Sequence, residues 1–291
     1  MTNLRLLNKY EEITFDKLKS TVTNEAHVFA KVRLADVFPI TGSGLDNREY
    51  SYCFKSHFDF LVTDKNYMPL FSVEFDGRQH KTNAKQVEND KLKDSLCERF
   101  DHAILHINSK YIDREYKGID LLTYFIDVWF LEESFYEAQE KGIIPYDEPF
   151  DACSIFDDGK GKKWPYWISS DIQVQIQQLY KQKRINQPAP SHWVGVDTNK
   201  NYRCICWVEI DRENVIYVKT GMRRQLYTAV HISDLLSMLA IFDLDKKLKG
   251  YFSGVEQSVP FIDFNQVLNE FCSKLELRSS ATCGNFSYPV F

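Results

Sequence analysis

The spacing of apolar and polar positions predicts that the first half of the chain mixes helices and strands. Apolar residues three and four apart are typical of an amphipathic helix, and strict alternation is typical of a strand. In chain order, the predicted elements are a helix over residues 4–19, strands His27–Phe38, His57–Thr63 and Leu70–Asp76, a helix from Asn83 to Phe100, a strand Ala103–Ile107 and a helix Ile119–Glu140. This order favours an α/β fold.

The pattern changes after Gly142, where proline, glycine and aspartate become frequent. Such a stretch indicates a domain boundary. Beyond it, Tyr202–Ile210 and Val215–Lys219 predict a hairpin, and a broad apolar face predicts a helix from about Ser233 to Lys249. We therefore expect one domain over residues 1–145 and a C-terminal α+β domain over residues 146–291.

Composition narrows the class of protein. The 291 residues are 44% hydrophobic and 26% charged, which excludes collagen-like, low-complexity and fully disordered chains. The sequence has no apolar stretch long enough to cross a bilayer and no signal-peptide core, so we expect a cytoplasmic protein that does not use a membrane. Its seven cysteines form no CxxC pair, which favours reduced, structural thiols over a zinc ribbon or a disulfide framework.

The net charge of −5 comes from residues 1–145, whereas residues 146–291 are neutral. A nucleic acid would therefore have to meet a local basic patch. One candidate patch, with Trp164, Tyr166 and Trp167 interleaved, consists of Lys160, Lys162, Lys163, Lys181, Lys183 and Arg184. Bases can stack on such rings while the cations meet phosphates, but a solvated loop and helix with buried tryptophans fits the same residues. Both interpretations stay open.

Acidic residues in the second and third strands predict a reactive site. If the intervening loop is centred between Asn66 and Tyr67, Asp59 lies directly across from Glu74, with Asp76 one step further along. Facing side chains in paired strands are roughly 5 Å apart, so two ionised carboxylates there repel each other unless a cation lies between them or one of them stays protonated. A divalent cation such as Mg²⁺ would resolve this conflict. The alternative is an acidic surface that faces solvent.

Neighbouring residues extend this candidate site. His80 follows the third strand closely and can act as an acid, a base or a ligand. On the next helix, Lys93 shares one stripe with Gln86 and Asp90 and can hold a phosphate or orient a water molecule. Taken alone, Lys93 is better explained as a lysine that faces solvent. The other nearby histidines, His102 and His106, are predicted to be core or rim residues.

These motifs resemble the PD-(D/E)XK nuclease superfamily, and in particular the bacterial branch related to very-short-patch-repair endonucleases. The resemblance covers roughly residues 5–110, in separate blocks in the right order. The blocks are Val28–Asp36, His57–Val62, Phe71–His80 and Asn89–Asp94. The superfamily often has lysine at the position of Asp76, so His80 or Lys93 is expected to take the part of that lysine. Residues 146–291 resemble nothing that we recognise.

The resemblance implies a PD-(D/E)XK restriction-endonuclease-like core, in which helices flank a mixed sheet, and a nuclease dependent on Mg²⁺ or Mn²⁺. Asp59 and Glu74 would hold the metal, joined by Glu12, which aligns better than its neighbour Glu11, and by the carbonyl of Phe75. Asp76, His80 and Lys93 would complete the catalytic set, and Arg78 would contact nucleic acid. The expected reaction is hydrolysis of phosphodiester bonds, with DNA favoured over RNA as the substrate. It would serve repair, restriction or anti-phage defence.

Two other functions remain open. The fold could form an inactive module that binds nucleic acid or a partner protein, with a vestigial acidic pocket. Alternatively, the C-terminal domain could dock to a partner protein, with the nuclease as its effector. Exposed aromatic residues in the 161–167 region or in the predicted hairpin would favour docking.

Overall fold

The computed structural model describes residues 5–22, 26–77, 84–152 and 166–283. The chain divides into two compact units, which are described separately below. Unit 1 consists of Met1–Glu148 and Gln225–Ala229, and unit 2 consists of Pro149–Arg224 and Val230–Phe291. The sequence pattern indicated one boundary near residue 145. It did not indicate that the five residues Gln225–Ala229 also belong to unit 1.

Unit 1 alternates helices and strands. Its elements are α1 (Lys9–Thr21), β1 (Ala26–Arg33), α2 (Leu34–Val37), α3 (Asn47–Lys55), β2 (His57–Asp64), β3 (Pro69–Phe75), α4 (Ala84–Arg99), β4 (Ala103–Ile107), α5 (Ser109–Asp113), β5 (Glu115–Tyr116), β6 (Ile119–Asp120) and α6 (Leu121–Glu140).

The main sheet of unit 1 is mixed and is flanked by helices. Its strand order is β1-β2-β3-β4, with two antiparallel pairings followed by a parallel pairing of β3 with β4. α1 and α6 cover one face, where Phe15 stacks on Phe60 and Trp129 lies against Phe71. α4 lies over the other face, since its Leu96 packs in one cluster with Phe58. The expectation of a mixed α/β domain is confirmed.

The hairpin of β2 and β3 has the predicted register near the site. Phe60 pairs with Val73 and Leu61 with Ser72, as expected for a turn centred between Asn66 and Tyr67. A register shift after Val62 changes the pairing only towards the turn. Continuing this register towards the site brings Asp59 to the level of Glu74.

Two predicted boundaries are wrong for identifiable reasons. α1 begins at Lys9 rather than at residue 4, because Asn8 and Glu11 form a capping box, in which each side chain accepts a hydrogen bond from the other residue's backbone N–H. β1 ends at Arg33 rather than at Phe38, because residues from Leu34 onward form a helical turn that buries Leu34 beside Phe38. Helix α3 was not predicted.

His102 is a core residue of unit 1, as expected. Its ring lies 5.3 Å from that of Phe58, and its Nε2 is 2.8 Å from Ser72 Oγ. Burial lowers the pKa of His102 to about 4. The neutral imidazole is therefore the form that the folded protein stabilises.

We expect His102 to make unit 1 sensitive to acid. Its pKa is about 6.5 in an unfolded chain and lower in the fold, so the unfolded state binds more protons as the pH falls below 6.5. Between pH 7.5 and pH 5, this one residue should lower the free energy of unfolding by about 2 kcal/mol. Urea unfolding of the wild type and of His102→Gln at both pH values measures it. An equal acid loss in both proteins would contradict this assignment.

Unit 2 is an antiparallel sheet with helices. Its elements are α7 (Tyr166–Lys181), β7 (Ser191–Val196), β8 (Tyr202–Glu209), β9 (Asn214–Met222), α8 (Ile232–Phe252), β10 (Val259–Pro260), α9 (Phe261–Ser273) and β11 (Glu276–Ala281). The strand order is β10-β9-β8-β7-β11. The β8–β9 hairpin and α8 were expected, whereas β7, α9 and β11 were not.

The aromatic residues of unit 2 that face the sheet belong to its core. Trp193 and Trp207 are buried with Phe264 of α9. Trp207 of the hairpin is buried and its Tyr202 and Tyr217 are half-buried, so the hairpin does not offer the exposed aromatic residues that would favour partner docking. The side chains of the 161–167 region lie outside the described residues. The six cysteines within the described ranges are free, and Cys204 and Cys206 are buried, in agreement with structural thiols. None of the described helices is long and apolar enough to cross a membrane.

Candidate functional site

Asp59 and Glu74 interlock at the ends of two neighbouring strands. The N–H of Asp59 donates a hydrogen bond to Glu74 Oε1 at 3.1 Å, and the N–H of Phe75 donates to Asp59 Oδ2 at 2.9 Å. The last backbone pair of β2 and β3 towards this end is Phe60 with Val73. The two carboxylates therefore bind backbone N–H groups where the strand pairing stops, which fixes the position of both side chains.

Lys31 of β1 is a member of the site that the sequence patterns did not indicate. Its ammonium donates to Asp59 Oδ1 at 2.6 Å and to Glu11 Oε1 at 3.0 Å. Burial acts to lower the pKa of Lys31, but the hydrogen bonds and charges of both carboxylates outweigh it and raise this pKa. Carboxylates from β2 and α1 thus converge on one positive charge.

A local backbone irregularity accompanies Lys31. Lys31 has φ of 57°, in the left-handed region that is unfavourable for a non-glycine residue. The alternation of side chains between the two faces of the sheet is also broken in the neighbouring part of β2. Phe58 packs beside Phe38 on one face, and Phe60 stacks on Phe15 on the other. Strict alternation would put Phe58 and Phe60 on one face of the sheet, so β2 departs from a regular strand at Asp59.

Glu11, not Glu12, is the glutamate of α1 that reaches the site. The side chain of Glu11 is 12% exposed and contacts Lys31, whereas that of Glu12 is 46% exposed and pairs with Arg5. Consecutive helix residues point about 100° apart, so the capping box that places Glu11 towards the sheet turns Glu12 away. Of the two glutamates, it is therefore Glu11, and not the predicted Glu12, that lies beside Asp59 through Lys31.

Lys93 of α4 binds the second strand carboxylate. Its ammonium donates to Glu74 Oε2 and to the carbonyl of His57, both at 2.8 Å. Burial raises the pKa of Glu74, and the positive charge of Lys93 only partly offsets this effect. Burial acts to lower the pKa of Lys93, but the charge and hydrogen bond of Glu74 outweigh it and raise this pKa. Each of the two charges thus stabilises the other inside the protein.

Asp76 lies beside His106, which is buried as predicted. His106 is buried in β4 and pairs in register with Glu74. Its Nε2 is 2.8 Å from Asp94 Oδ1, and its Nδ1 is 3.5 Å from Asp76 Oδ1. His106 therefore lies between Asp76 and Asp94 of α4, level with Glu74. Its place in an apolar strand predicted its burial but not these two neighbours.

The remaining predicted residues fall into two groups. His80, Arg78, Lys160, Lys162 and Lys163 lie outside the described residues. Of the basic residues in unit 2, Lys181 ends α7, Lys183 is exposed in the following turn, and the guanidinium of Arg184 lies 4.1 Å from the ring centroid of Phe252. Arg184 also lines an open cavity of about 620 Å³ with Tyr251 and Glu256.

Within the part of the chain that the structure describes, no group of three or more His, Cys, Asp or Glu side chains is arranged to hold a metal ion. The lysine ammonium groups instead bind the carboxylates of Glu11, Asp59 and Glu74. The donor atoms still suit a hard divalent cation, since Glu11 and Asp59 already share one positive charge. The arrangement thus sets two lysine charges against three carboxylates.

One family model matches the chain. Residues 3–122 match a family described as "Protein of unknown function (DUF2726)". Glu11, Lys31, Asp59, Glu74 and Lys93 all lie within the matched segment, whose description assigns no activity. No curated protein and no solved structure matched the chain significantly.

Proposed function

We propose that unit 1 is a metal-dependent nuclease with a PD-(D/E)XK core that hydrolyses phosphodiester bonds, with DNA favoured over RNA as its substrate. The observation that carries this proposal is the interlocked pair of Asp59 and Glu74 with Lys93 bonded to Glu74. Carboxylates on two adjacent strands with a lysine beside them are the set that the superfamily uses. Lys93 supplies the lysine that is missing at Asp76.

The metal would be held by Asp59, Glu74 and Glu11. Carboxylate oxygens are the ligands that Mg²⁺ and Mn²⁺ prefer, and the three acids outnumber the two lysines that contact them. When bound, such an ion would neutralise phosphate charge and lower the pKa of a water molecule. The Phe75 carbonyl, another predicted ligand, remains part of this proposal, while the Phe75 N–H holds Asp59 in place.

Lys93 and the backbone carry out the remaining tasks. The N–H groups of Asp59 and Phe75 fix the carboxylates before a substrate arrives, so little reorganisation is needed. Lys93 keeps a positive charge next to Glu74, where it can stabilise negative charge on the attacked phosphate. The attacking water forms a new P–O bond and gives up one proton to solvent, while the P–O bond to the leaving oxygen breaks. That oxygen takes up a proton, for which His80 remains a predicted donor.

Metal-dependent cleavage tests the proposal. The purified full-length protein is incubated with circular single-stranded DNA, plasmid, linear duplex and RNA, in EDTA and with added Mg²⁺ or Mn²⁺. We expect cleavage of at least one DNA substrate with a metal ion and its loss in EDTA. Intact substrates under every condition, or cleavage that is indifferent to EDTA, would contradict the proposal.

Lys31 should compete with the metal for Asp59 and Glu11. Replacing this ammonium by an apolar side chain of similar length removes a positive charge from the metal site. We expect Lys31→Met to bind Mg²⁺ about tenfold more tightly in calorimetry, which corresponds to about 1.4 kcal/mol. Lys55→Met, at the exposed end of α3, is the control and should bind Mg²⁺ as the wild type does. Unchanged or weaker binding by Lys31→Met would show that Lys31 does not occupy the metal position.

A second candidate is an inactive module of the same fold that binds nucleic acid or a protein. The observation in its favour is that each of the three carboxylates already forms an ion pair with Lys31 or Lys93, so each has a positive partner without a metal ion. Mg²⁺ calorimetry separates the two functions, because an inactive module of this kind would show no heat of binding that depends on Asp59.

A further inference from the structure

Three aromatic side chains form an exposed group on unit 1, and we call His27, Phe29 and Tyr67 the aromatic platform. The rings of His27 and Tyr67 are stacked, with centroids 4.8 Å apart and planes within 16°. Phe29 lies 6.2 Å from Tyr67 and 6.5 Å from His27. Tyr67 is 66% exposed and Phe29 is 39% exposed. One face of the Tyr67 ring is therefore covered by His27, while about two thirds of the residue stays open to solvent.

A cavity of about 490 Å³ adjoins the aromatic platform. Its walls include all three rings together with Lys19 and Val22 near the end of α1. Flat rings beside a cation match the chemistry of a nucleotide, in which a base stacks and the phosphate carries negative charge. The cavity thus offers separate surfaces for both parts of one ligand.

The strand register relates the aromatic platform to the carboxylate site. Phe29 pairs with Leu61, which pairs with Ser72, so Phe29 lies on the face of the sheet to which Ser72 and Glu74 belong. Phe29 precedes Lys31 by two residues, roughly 7 Å along β1, and His27 precedes it by four, roughly 13 Å. A chain of nucleotides lying along β1 would pass from the rings to the carboxylates.

We propose that the aromatic platform binds unpaired bases of a single-stranded nucleic acid and leads that strand to Asp59 and Glu74. This inference rests on the proposed nuclease function and specifies its substrate as single-stranded. Bases in a duplex are stacked on each other and do not expose their faces, so the aromatic platform favours a single strand over a duplex of the same sequence.

Binding in EDTA tests this inference without cleavage. Fluorescence anisotropy measures the affinity of the full-length protein for a labelled oligo-dT, for an abasic strand of equal length and for a duplex. One stacked base contributes about 1–3 kcal/mol, so Tyr67→Ala should weaken oligo-dT binding about 5- to 150-fold. Tyr67→Trp should preserve the affinity, because the indole ring also stacks. The abasic strand should bind Tyr67→Ala and the wild type equally.

The matched control is Tyr146→Ala, which removes another tyrosine of unit 1 that is 77% exposed. It should bind oligo-dT as the wild type does. Three results would overturn the inference. They are equal oligo-dT affinities of Tyr67→Ala and Tyr146→Ala, an equal loss of affinity for the abasic strand in Tyr67→Ala, and no oligonucleotide binding by the wild type. The last outcome would leave the aromatic platform to a protein partner. Because no cleavage is measured, a protein that binds but never cuts contradicts only the nuclease proposal.

Discussion

Asp59→Asn is expected to lower the rate of metal-dependent cleavage by at least about 1,000-fold while the protein remains folded. The substitution removes the negative charge that the proposed ion needs. Metal catalysis lowers the activation barrier by several kcal/mol, and each 1.36 kcal/mol changes the rate tenfold. The asparagine oxygen can still accept the hydrogen bond from the N–H of Phe75, which preserves the end of the hairpin. The measurement is single-turnover cleavage at saturating Mg²⁺.

The control for this prediction is Asp113→Asn, which removes an exposed carboxylate at the end of α5 in the same unit. It should cleave at the wild-type rate, and both variants should unfold at similar temperatures. Undiminished cleavage by purified Asp59→Asn would show that the carboxylate does not serve the reaction, whatever the protein binds.

Lys93→Met is expected to lower both activity and stability. Lys93 and Glu74 form a buried ion pair, and removal of one partner from such a pair typically costs about 3–5 kcal/mol. We expect a loss of about 3 kcal/mol in the free energy of unfolding at pH 7 and of about 100-fold or more in cleavage rate. Urea unfolding and single-turnover cleavage measure the two effects.

The dependence of this loss on pH identifies its cause. Burial already raises the pKa of Glu74 in the fold, and losing Lys93 raises it further, so the folded variant holds a proton that the unfolded chain releases above pH about 4.3. The stability of Lys93→Met should therefore recover as the pH falls from 8 towards 5. A loss independent of pH would indicate lost packing instead. Lys91→Met, an exposed neighbour on α4, should change neither property.

Adding Glu74→Gln to Lys93→Met separates stability from catalysis. The double variant lacks the unpaired charge, so it should regain most of the lost stability but none of the lost cleavage. Full recovery of both would mean that the pair has a structural role alone.

The sequence predicted those parts of the site that follow strand periodicity. Alternation placed Asp59 and Glu74 on facing strands, and a correctly centred turn gave their register, because hydrogen-bonded pairing fixes which residues lie opposite each other. The helical stripe likewise identified Lys93, which faces the sheet from α4. These relations depend on local geometry that repeats along each element.

The missed residues depend on features that do not repeat. Lys31 looks like an ordinary polar position in an alternating strand, and its left-handed φ is a departure from that pattern. Glu11 and Glu12 are adjacent, but the capping box formed by Asn8 and Glu11 was a signal in the sequence that could have fixed the helix start and chosen between them.

Long-range pairing was also out of reach. The side chain of Gln225 binds both the backbone N–H and the carbonyl of His106, across 119 positions of the chain. Apolar periodicity indicates only that a segment is buried, not which distant segment it joins. The sequence therefore did not predict that residues 225–229 belong to unit 1, which only the structure shows.

The most direct test of the account is whether Glu11, Asp59 and Glu74 together hold one divalent ion. Electron paramagnetic resonance can count Mn²⁺ bound to the full-length protein without any substrate. The account predicts one Mn²⁺ per wild-type chain, displaced by Mg²⁺, and a loss of this ion in Asp59→Asn and in Glu74→Gln but not in Glu12→Gln. Equal Mn²⁺ binding by the wild type, Asp59→Asn and Glu74→Gln would contradict it.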